Sequence, residues 1–200
     1  MKNLGKTFEE NFKKSVPDDV FCYRFRDSAS SYYGGNQNLR FSASNIADYL
    51  IFDSLALRLC ELKHHKGKSL PLSCIVGNKT KEKQIEDLYM ANQYNGVYAH
   101  LIVFFSDVQR CFALNIDKLK EFITLSKLGE RKSIPISYFE ENACEIEVRQ
   151  LKTNYRFAID KWLLEQNKKE MWTYLFFIIK KIVLKVRMSE NENNRNSLAN

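Results

Sequence analysis

The chain has 200 residues, 44% of them hydrophobic, so it can bury a core of ordinary size, and its length favours a single domain. Lysine and arginine number 31 against 24 acidic residues, and the resulting formal charge of +7 is compatible with a polyanionic partner without establishing one. The 5 cysteines are scattered without zinc-knuckle spacing, which argues against a disulfide framework or a structural zinc site and favours a reduced, cytoplasmic protein.

The first predicted element is a helix over residues 7–15, opened by the capping-box pattern Thr-Phe-Glu-Glu, in which Glu10 is the capping acid. Glu9 is not needed for capping and lies beside Phe8, which we expect to be buried. Two interpretations of Glu9 stay open. It faces inward at the edge of the core, or it is exposed and pairs with Lys13 one turn later.

Residues 20–26 form the first predicted strand, because they are rich in aromatic and β-branched side chains. Arg24 and Arg26 are two positions apart, so both lie on one face of that strand. Basic side chains on one face are suited to contacts with DNA phosphates, and we assign both arginines as candidate DNA-binding residues.

Residues 27–45 are rich in serine, glycine and asparagine and are too many for an ordinary hairpin loop. One interpretation is a disordered insertion. The other is a DNA-contacting loop, because Tyr32 and Tyr33 can stack on bases and Arg40 can bind phosphate.

Residues 46–63 place three charged side chains inside apolar, strand-like runs. Asp53 begins the only turn-like dipeptide of this stretch, which predicts a hairpin. Its first strand carries Asp48, and its second carries Glu61 and Lys63, which are two apart and therefore share a face. Ionised groups are rarely buried without a partner or a function, so we expect these three to converge.

Two carboxylates and an ammonium suit the chemistry of metal-dependent phosphodiester hydrolysis. Mg²⁺ prefers carboxylate oxygens, so Asp48 and Glu61, with the carbonyl of Leu62, could hold one or two ions. Lys63 would then orient the attacking water and stabilise charge on the scissile phosphate. A Glu-x-Lys tripeptide alone is equally explained by a salt bridge at a strand end, so the inference depends on its context.

The residues after the hairpin form a basic turn that contains Lys66 and Lys68, which we assign as candidate DNA contacts. Neighbouring side chains point to opposite faces of a strand, so His64 and His65 cannot both ligate one metal ion. We expect both histidines to be solvated or to face phosphate, with zinc ligation as the minor alternative.

The second half of the core is predicted around residues 97–105, a nearly continuous apolar strand of the kind that is buried on both faces of a sheet. The other predicted elements here are helices at 79–93 and 118–125, a strand at 110–116, an extended edge segment at 134–136 and a turn region at 138–145.

The C-terminal part is predicted as a basic amphipathic helix over residues 165–188, followed by a disordered, asparagine-rich tail at 189–200. Its apolar stripe would pack on the protein's own core or on a second copy, and docking on a membrane surface is the weaker alternative. The apolar run at 172–179 is too short to span a bilayer, and the N-terminus lacks the apolar region of a signal peptide.

Several short motifs occur in a fixed order along the chain. Together they resemble the RecU family of Holliday-junction resolvases, over roughly residues 3–164. The motifs are Asp48-Tyr49, Glu61-Leu62-Lys63, Ser69-Leu70-Pro71-Leu72 and Gln84-Ile85-Glu86, with Gly5 to Glu9 at the place of the family's first helix and Arg131-Lys132-Ser133-Ile134-Pro135 near the end of the core.

The resemblance implies a restriction-endonuclease-like α/β fold, with a mixed central sheet flanked by helices. It gives a nuclease domain at residues 1–164, to which this chain adds the C-terminal amphipathic helix. The implied activity is a Mg²⁺-dependent endonuclease on Holliday junctions or other branched DNA, in which Mn²⁺ could substitute. Alternatives are a restriction- or repair-type nuclease of the same fold, or a catalytically silent DNA-binding module.

Carried over residue by residue, the resemblance implies Asp48 and Glu61 as metal ligands and Lys63 as the catalytic lysine. It adds Glu9 as a supporting acid at the metal and Gln84 as a polar group beside the site. The family's projection into the junction of a dimeric enzyme would correspond to residues 27–45, and a homodimer is the implied assembly.

The chain also departs from the family pattern. Ala47 stands where the family often has threonine, the stretch at 27–45 lacks the family's longer basic and apolar pattern, and the helix at 165–188 has no family counterpart. These differences indicate a divergent member, for which a phage origin is the natural expectation.

Overall fold

The computed structural model describes residues 4–25, 45–129, 131–173, 175–176 and 179. The chain divides into two compact units, residues 1–162 and 163–200. Some of the predictions lie outside the described residues, namely those on Arg26, Tyr32, Tyr33, Arg40, nearly all of the loop at 27–45 and the tail at 189–200.

Short helices and strands alternate along the first unit. The strands are β1 (Phe21–Arg24), β2 (Tyr49–Phe52), β3 (Leu57–His65), β4 (Ser69–Pro71), β5 (Val97–Phe105), β6 (Arg110–Asn115), β7 (Ser133–Pro135), β8 (Cys144–Ile146), β9 (Val148–Gln150) and β10 (Tyr155–Phe157). The helices are α1 (Leu4–Lys13), α2 (Ser73–Val76), α3 (Lys79–Ala91), α4 (Ile116–Leu128) and α5 (Ile136–Asn142).

The central sheet has six strands in the order β1-β2-β3-β5-β6-β8. β3 and β5 run parallel, from Leu57 opposite Val97 to His65 opposite Phe105, and the other neighbouring pairs are antiparallel. β4 with β7, and β9 with β10, form two small antiparallel ribbons. The predicted mixed α/β sheet is therefore confirmed.

Both faces of this sheet are covered. On one face, Leu88 of α3 and Leu119 of α4 belong to a single apolar cluster with the strands. On the other, the ring of Phe8 in α1 lies 5.5 Å from that of Phe104 in β5 and 5.2 Å from that of Phe157 in β10. β5 is buried along all but its first two residues, which confirms the prediction of a strand covered on both sides.

The turn between β2 and β3 is built on Asp53. Its carboxylate Oδ1 accepts the backbone N–H groups of Leu55 at 3.2 Å and Ala56 at 2.9 Å. Ser54 takes a positive φ of 68°, in the left-handed region that short polar residues enter in turns. The predicted hairpin and the turn role of Asp53 are confirmed.

The predicted start of the first helix is wrong. α1 begins at Leu4, so Thr7 lies inside the helix and cannot be its capping residue. The pattern Thr-x-x-Glu also occurs within helices, and here the burial of Phe8 and Phe12 anchors a helix that starts a turn earlier.

The predicted turn region at 138–145 is also wrong in its first part, where the chain forms α5. Phe139 is fully buried, with its ring 5.3 Å from that of Phe105 and 5.9 Å from that of Phe112. Tertiary packing of this one aromatic side chain outweighs a local sequence of acids and asparagine that favours a turn.

In the second unit, residues 163–173 are helical and overlap the stretch 165–188 where the amphipathic helix was predicted. Large apolar side chains there face solvent, including Trp172 at 66% and Phe176 at 70% exposure. Among the described residues, no helix combines the length and hydropathy that crossing a bilayer requires.

Candidate active site

The β2–β3 hairpin brings the predicted acids opposite each other. Tyr49 pairs with Cys60, and one further step of this register sets Asp48 against Glu61. The Asp48 N–H donates to the carbonyl of Cys60 at 3.1 Å, and its carboxylate Oδ2 accepts the N–H of Leu62 at 2.7 Å. Asp48 is thus held against the strand that carries Glu61, although it precedes β2.

Glu61 lies at the centre of the cluster, with its side chain only 4% exposed. Its Oε1 accepts a hydrogen bond from Lys63 Nζ at 2.5 Å, and its Oε2 accepts one from Gln84 Nε2 at 2.8 Å. Lys63 keeps 28% of its side chain exposed, so the ion pair reaches from the interior to solvent.

The site concentrates negative charge in a poorly solvated position. Burial raises the pKa of Glu61 to about 7, helped by the nearby carboxylates of Asp48 and Glu9 and opposed by the ammonium of Lys63. Burial lowers the pKa of Lys63, but the carboxylates of Glu61 and Asp48 outweigh it, so the net shift is upward. Lys63 therefore stays charged, and a further cation would be stabilised here.

Gln84 reaches the site because α3 packs its apolar side on the sheet. Ile85 and Leu88 are buried, and the helix is capped by Asn78, whose side chain accepts the N–H of Lys81 at 3.0 Å. Gln84 Nε2 also lies 3.4 Å from the carbonyl oxygen of Asn45. The amide thereby links Glu61 to the segment that leads into Asp48.

Glu9 of α1 forms an ion pair with Arg24 of β1. The Tyr49 hydroxyl donates to the backbone carbonyl of Glu9 at 3.0 Å, which ties α1 to the hairpin. Of the two interpretations left open, the structure supports the inward-facing one. Arg24 was predicted as a DNA contact, and the structure gives its guanidinium this carboxylate partner as well.

The basic turn after β3 is exposed at both predicted lysines, Lys66 and Lys68. Gly67 between them has a φ of 87°, a conformation that glycine adopts without strain. Its N–H donates to the carboxylate of Asp107 at 3.0 Å, which fixes the turn beside the end of β5. Both lysines are therefore presented to solvent by an anchored turn.

The donor set fits a hard divalent cation. Asp48 and Glu61 supply carboxylate oxygens, the ligands that Mg²⁺ prefers, in a place where burial and like charge favour an added cation. Within the described ranges, no group of three His, Cys, Asp or Glu side chains is arranged to hold a metal ion. Glu9, the third metal ligand that the sequence analysis predicts, forms an ion pair with Arg24.

Sequence reasoning missed Tyr49 and Cys74 as neighbours of the site. Tyr49 directly follows Asp48 in the Asp-Tyr motif, so the motif itself was the available signal. Cys74 of α2 lies close enough to Lys63 to affect its pKa, and no sequence pattern pointed to that contact.

A second group of buried polar side chains lies on the opposite face of β3. Arg58 is fully buried, and its Nε donates to Asp53 Oδ2 at 3.1 Å. The guanidinium lies 5.4 Å from the ring centroid of Tyr98 and 5.9 Å from that of Trp162. Burial, with the nearby charge of Arg58, lowers the pKa of His100 to about 3, so this imidazole is neutral in the fold.

A family model described as RecU, Recombination protein U, matches residues 40–161, which is more than half of the chain. The matched part contains Asp48, Glu61, Lys63 and Gln84, whereas Glu9 precedes it.

Two individual proteins are also similar to this chain. The SPbeta prophage-derived uncharacterized protein YotM of Bacillus subtilis (strain 168) is 29% identical over 182 residues, which are 84% of this chain and 89% of that protein. The structure of Archaeoglobus fulgidus Hjc, a Holliday junction resolvase, aligns with 62% of this chain and 81% of its own at 15% identity, with a TM-score of 0.38.

Proposed function

Because the chain belongs to the RecU family, we propose that it is a Mg²⁺-dependent endodeoxyribonuclease that cleaves Holliday junctions or other branched DNA in recombination and repair. The observation that carries this proposal is the grouping of Asp48, Glu61 and Lys63 on one hairpin, with a buried carboxylate at its centre. Buried charges are usually either fully enclosed with their partners or part of a functional site. Because Lys63 reaches solvent, this cluster is not fully enclosed, which favours a functional site.

Asp48 and Glu61 would hold the divalent ion, with the Leu62 carbonyl as the neighbouring oxygen. A bound Mg²⁺ would lower the pKa of a coordinated water and neutralise the negative charge that develops on the phosphate. The protein's own contribution is to keep Asp48 against the Leu62 N–H and to keep Glu61 away from bulk water.

Lys63 carries the positive charge at the solvent side of the site. Its ammonium has three N–H donors, and the carboxylate of Glu61 accepts one of them. We assign Lys63 to orienting the attacking water and stabilising the scissile phosphate. Gln84 is a positioning residue, because its amide fixes the second oxygen of Glu61.

Glu9 would support the site from α1. Its charge raises the pKa of Glu61, and Arg24 balances that charge at the surface end. In this arrangement Glu9 contributes negative potential near the metal position, and Arg24, with 36% of its side chain exposed, is available as the proposed DNA contact.

Symmetric cleavage of a four-way junction requires two active sites related by a twofold axis, so we propose a homodimer, in which an isologous interface supplies that symmetry. In this proposal residues 1–164 form the nuclease domain, the loop at 27–45 contacts the junction, and the helix at 165–188 is an addition to it.

The test compares cleavage of a synthetic four-way junction with cleavage of a linear duplex of the same sequence and length. We expect Mg²⁺-dependent paired cuts in the junction, weaker activity on the duplex, and none in the presence of a chelator. Equal rates on both substrates would point instead to a restriction- or repair-type nuclease. Junction binding without cleavage in Mg²⁺ or Mn²⁺ would indicate a silent DNA-binding module.

A further inference from the structure

Three lysines that are distant in the sequence border the short segment Leu72–Cys74, which consists of the residue after β4 and the first two residues of α2. They are Lys63 of β3, Lys81 of α3 and Lys132, which directly precedes β7. Each is connected to a different residue of the segment, and only Lys63 belongs to the active site as described above. The sequence gives no sign of this grouping, because the lysines are 18 and 51 residues apart.

Lys132 is placed by the β4–β7 ribbon. The register sets Pro71 opposite Ser133, and its next step brings the N–H of Leu72 to the carbonyl of Lys132 at 2.9 Å. Leu70 and Ile134 are buried at the middle of the ribbon, so the register is anchored in the core. The Lys132 side chain is exposed at the end of this ribbon.

Lys81 is placed by both its own contact and its helix. Its Nζ donates to the carbonyl of Ser73 at 2.9 Å. Three residues further along α3 lies Gln84, and positions i and i+3 of a helix are neighbours on its surface. Lys81 is therefore about one helical turn from the amide that holds Glu61.

Lys63 approaches the same segment from the sheet. Cys74 lies close enough to Lys63 to contribute to the upward shift of its pKa, after the larger effects of Glu61 and Asp48. Consecutive residues of the segment thus bond to the backbone of Lys132, bond to the ammonium of Lys81 and lie near Lys63, so three basic residues follow one another along the segment from its start towards the active site.

We propose that Lys81 and Lys132 extend the active site as a phosphate-binding rim, which holds the DNA backbone beside the scissile bond. This inference rests on the proposed nuclease function, because it concerns the same substrate. An ammonium has three N–H donors, so the contact of Lys81 with Ser73 positions the group and still leaves capacity for a phosphate oxygen. Phosphate contacts of this kind fix the register of DNA on a protein.

The charges near the rim agree with this assignment. Exposed Lys79, Lys83 and Arg131 flank the two proposed residues along the chain and add positive charge. Exposed Glu82 is the acid next to Lys81, while the carboxylate of Glu86 is paired with Lys120. The balance therefore favours a polyanion over a neutral ligand.

The experiment measures junction affinity against salt concentration, using Ca²⁺ in place of Mg²⁺ and the Lys81→Ala/Lys132→Ala double variant. The matched control is Lys118→Ala/Lys161→Ala, which removes the same charge from exposed lysines paired with Glu121 and Glu147. We expect the slope of log Kd on log salt to fall by about 2 in the double variant, about 1 for each phosphate contact, and to stay unchanged in the control.

A slope that is the same in the double variant and the control would overturn the rim while leaving the nuclease proposal intact, provided that the parent binds and cuts the junction. A parent that binds no DNA would remove both proposals. Lys81→Gln/Lys132→Gln, which keeps an N–H donor at each position and removes the charge, should reproduce the reduced slope, and a wild-type slope in this variant would also contradict the proposed rim. Thermal melting of each variant identifies any loss of folding.

Discussion

The strand β3 carries charged residues on both of its faces, and the two ion pairs differ in their access to solvent. On one face Arg58 is fully buried, ion-paired with Asp53 and walled by aromatic rings. On the other, Glu61 is equally deep, but its partner Lys63 reaches solvent. A ligand from solvent cannot reach the enclosed Arg58–Asp53 pair, which therefore serves the fold. The Glu61–Lys63 pair is accessible to a ligand through Lys63.

The comparison shows why burial alone does not identify an active site. Both groups place ionised side chains in an apolar strand, which is costly unless partners compensate. The partners of Arg58 are stacked around it from several elements. Those of Glu61 are a lysine that reaches solvent and an amide, and solvent exposure leaves room for the lysine to rearrange when a cation and a phosphate bind.

The largest effect that would separate the groups is expected at Arg58. We predict that Arg58→Met lowers the free energy of unfolding by about 3–5 kcal/mol, because it leaves the carboxylate of Asp53 buried and unpaired. Cleavage per folded molecule should be unchanged. Denaturant unfolding and junction cleavage measure the two quantities, and Lys161→Met, at an exposed pair, is the control with an expected change below about 0.5 kcal/mol. A stable but inactive Arg58→Met variant would contradict the assignment of Arg58 to the fold and of Glu61 with Lys63 to the function.

The converse behaviour is expected at Lys63. We predict that Lys63→Met reduces the rate of junction cleavage by about 10²–10³-fold, because it removes the positive charge that is proposed to stabilise the reacting phosphate. Junction binding in Ca²⁺ should survive. Single-turnover cleavage and the melting temperature are the measurements, and an active variant would remove Lys63 from the catalytic assignment.

A pH-dependent effect is expected from His100. Its pKa is lowered to about 3 in the fold, mainly by burial, while the unfolded chain takes up the proton near 6.5. The unfolded state therefore binds more protons between these values, and stability falls as the pH drops, by about 1.4 kcal/mol per pH unit. His100→Phe should show a shallower loss of stability from pH 6.5 downwards. Parallel pH profiles for the two proteins would show that His100 does not titrate this way.

The smallest effect concerns the link between α1 and the hairpin. Tyr49→Phe removes the hydroxyl that donates to the Glu9 carbonyl, and we predict a loss of about 1 kcal/mol in the free energy of unfolding. Cleavage should fall by less than with Lys63→Met, since Glu9 retains its pair with Arg24. Tyr94→Phe, at an exposed position, is the matched control and should leave both quantities unchanged.

Much of the hairpin could be predicted from the sequence, because its features are local. Asp53 marked the turn, and the spacing of Glu61 and Lys63 fixed their common face. The start of α1 and the existence of α5 could not be predicted in the same way, since each depends on distant aromatic packing around Phe8 and Phe139.

The hydrogen-bond partners within the site could not be predicted from local sequence patterns either. Arg24 and Glu9 are 15 residues apart, and Gln84 and Glu61 are 23 apart, so only the folded sheet brings them together. Arg58 gave no signal at all, because an arginine at the start of a strand is ordinarily exposed.

The parallel pairing of β3 with β5 has a consequence for synthesis of the chain. Every described residue of the candidate site has been synthesised once the chain reaches residue 84, yet β5, the parallel neighbour of β3, extends from Val97 to Phe105. A two-stranded hairpin is marginal in water by itself. A nascent chain that stops at residue 96 therefore contains the proposed site residues without the strand that completes their support, and we expect the candidate site to form only when the centre of the sheet is complete.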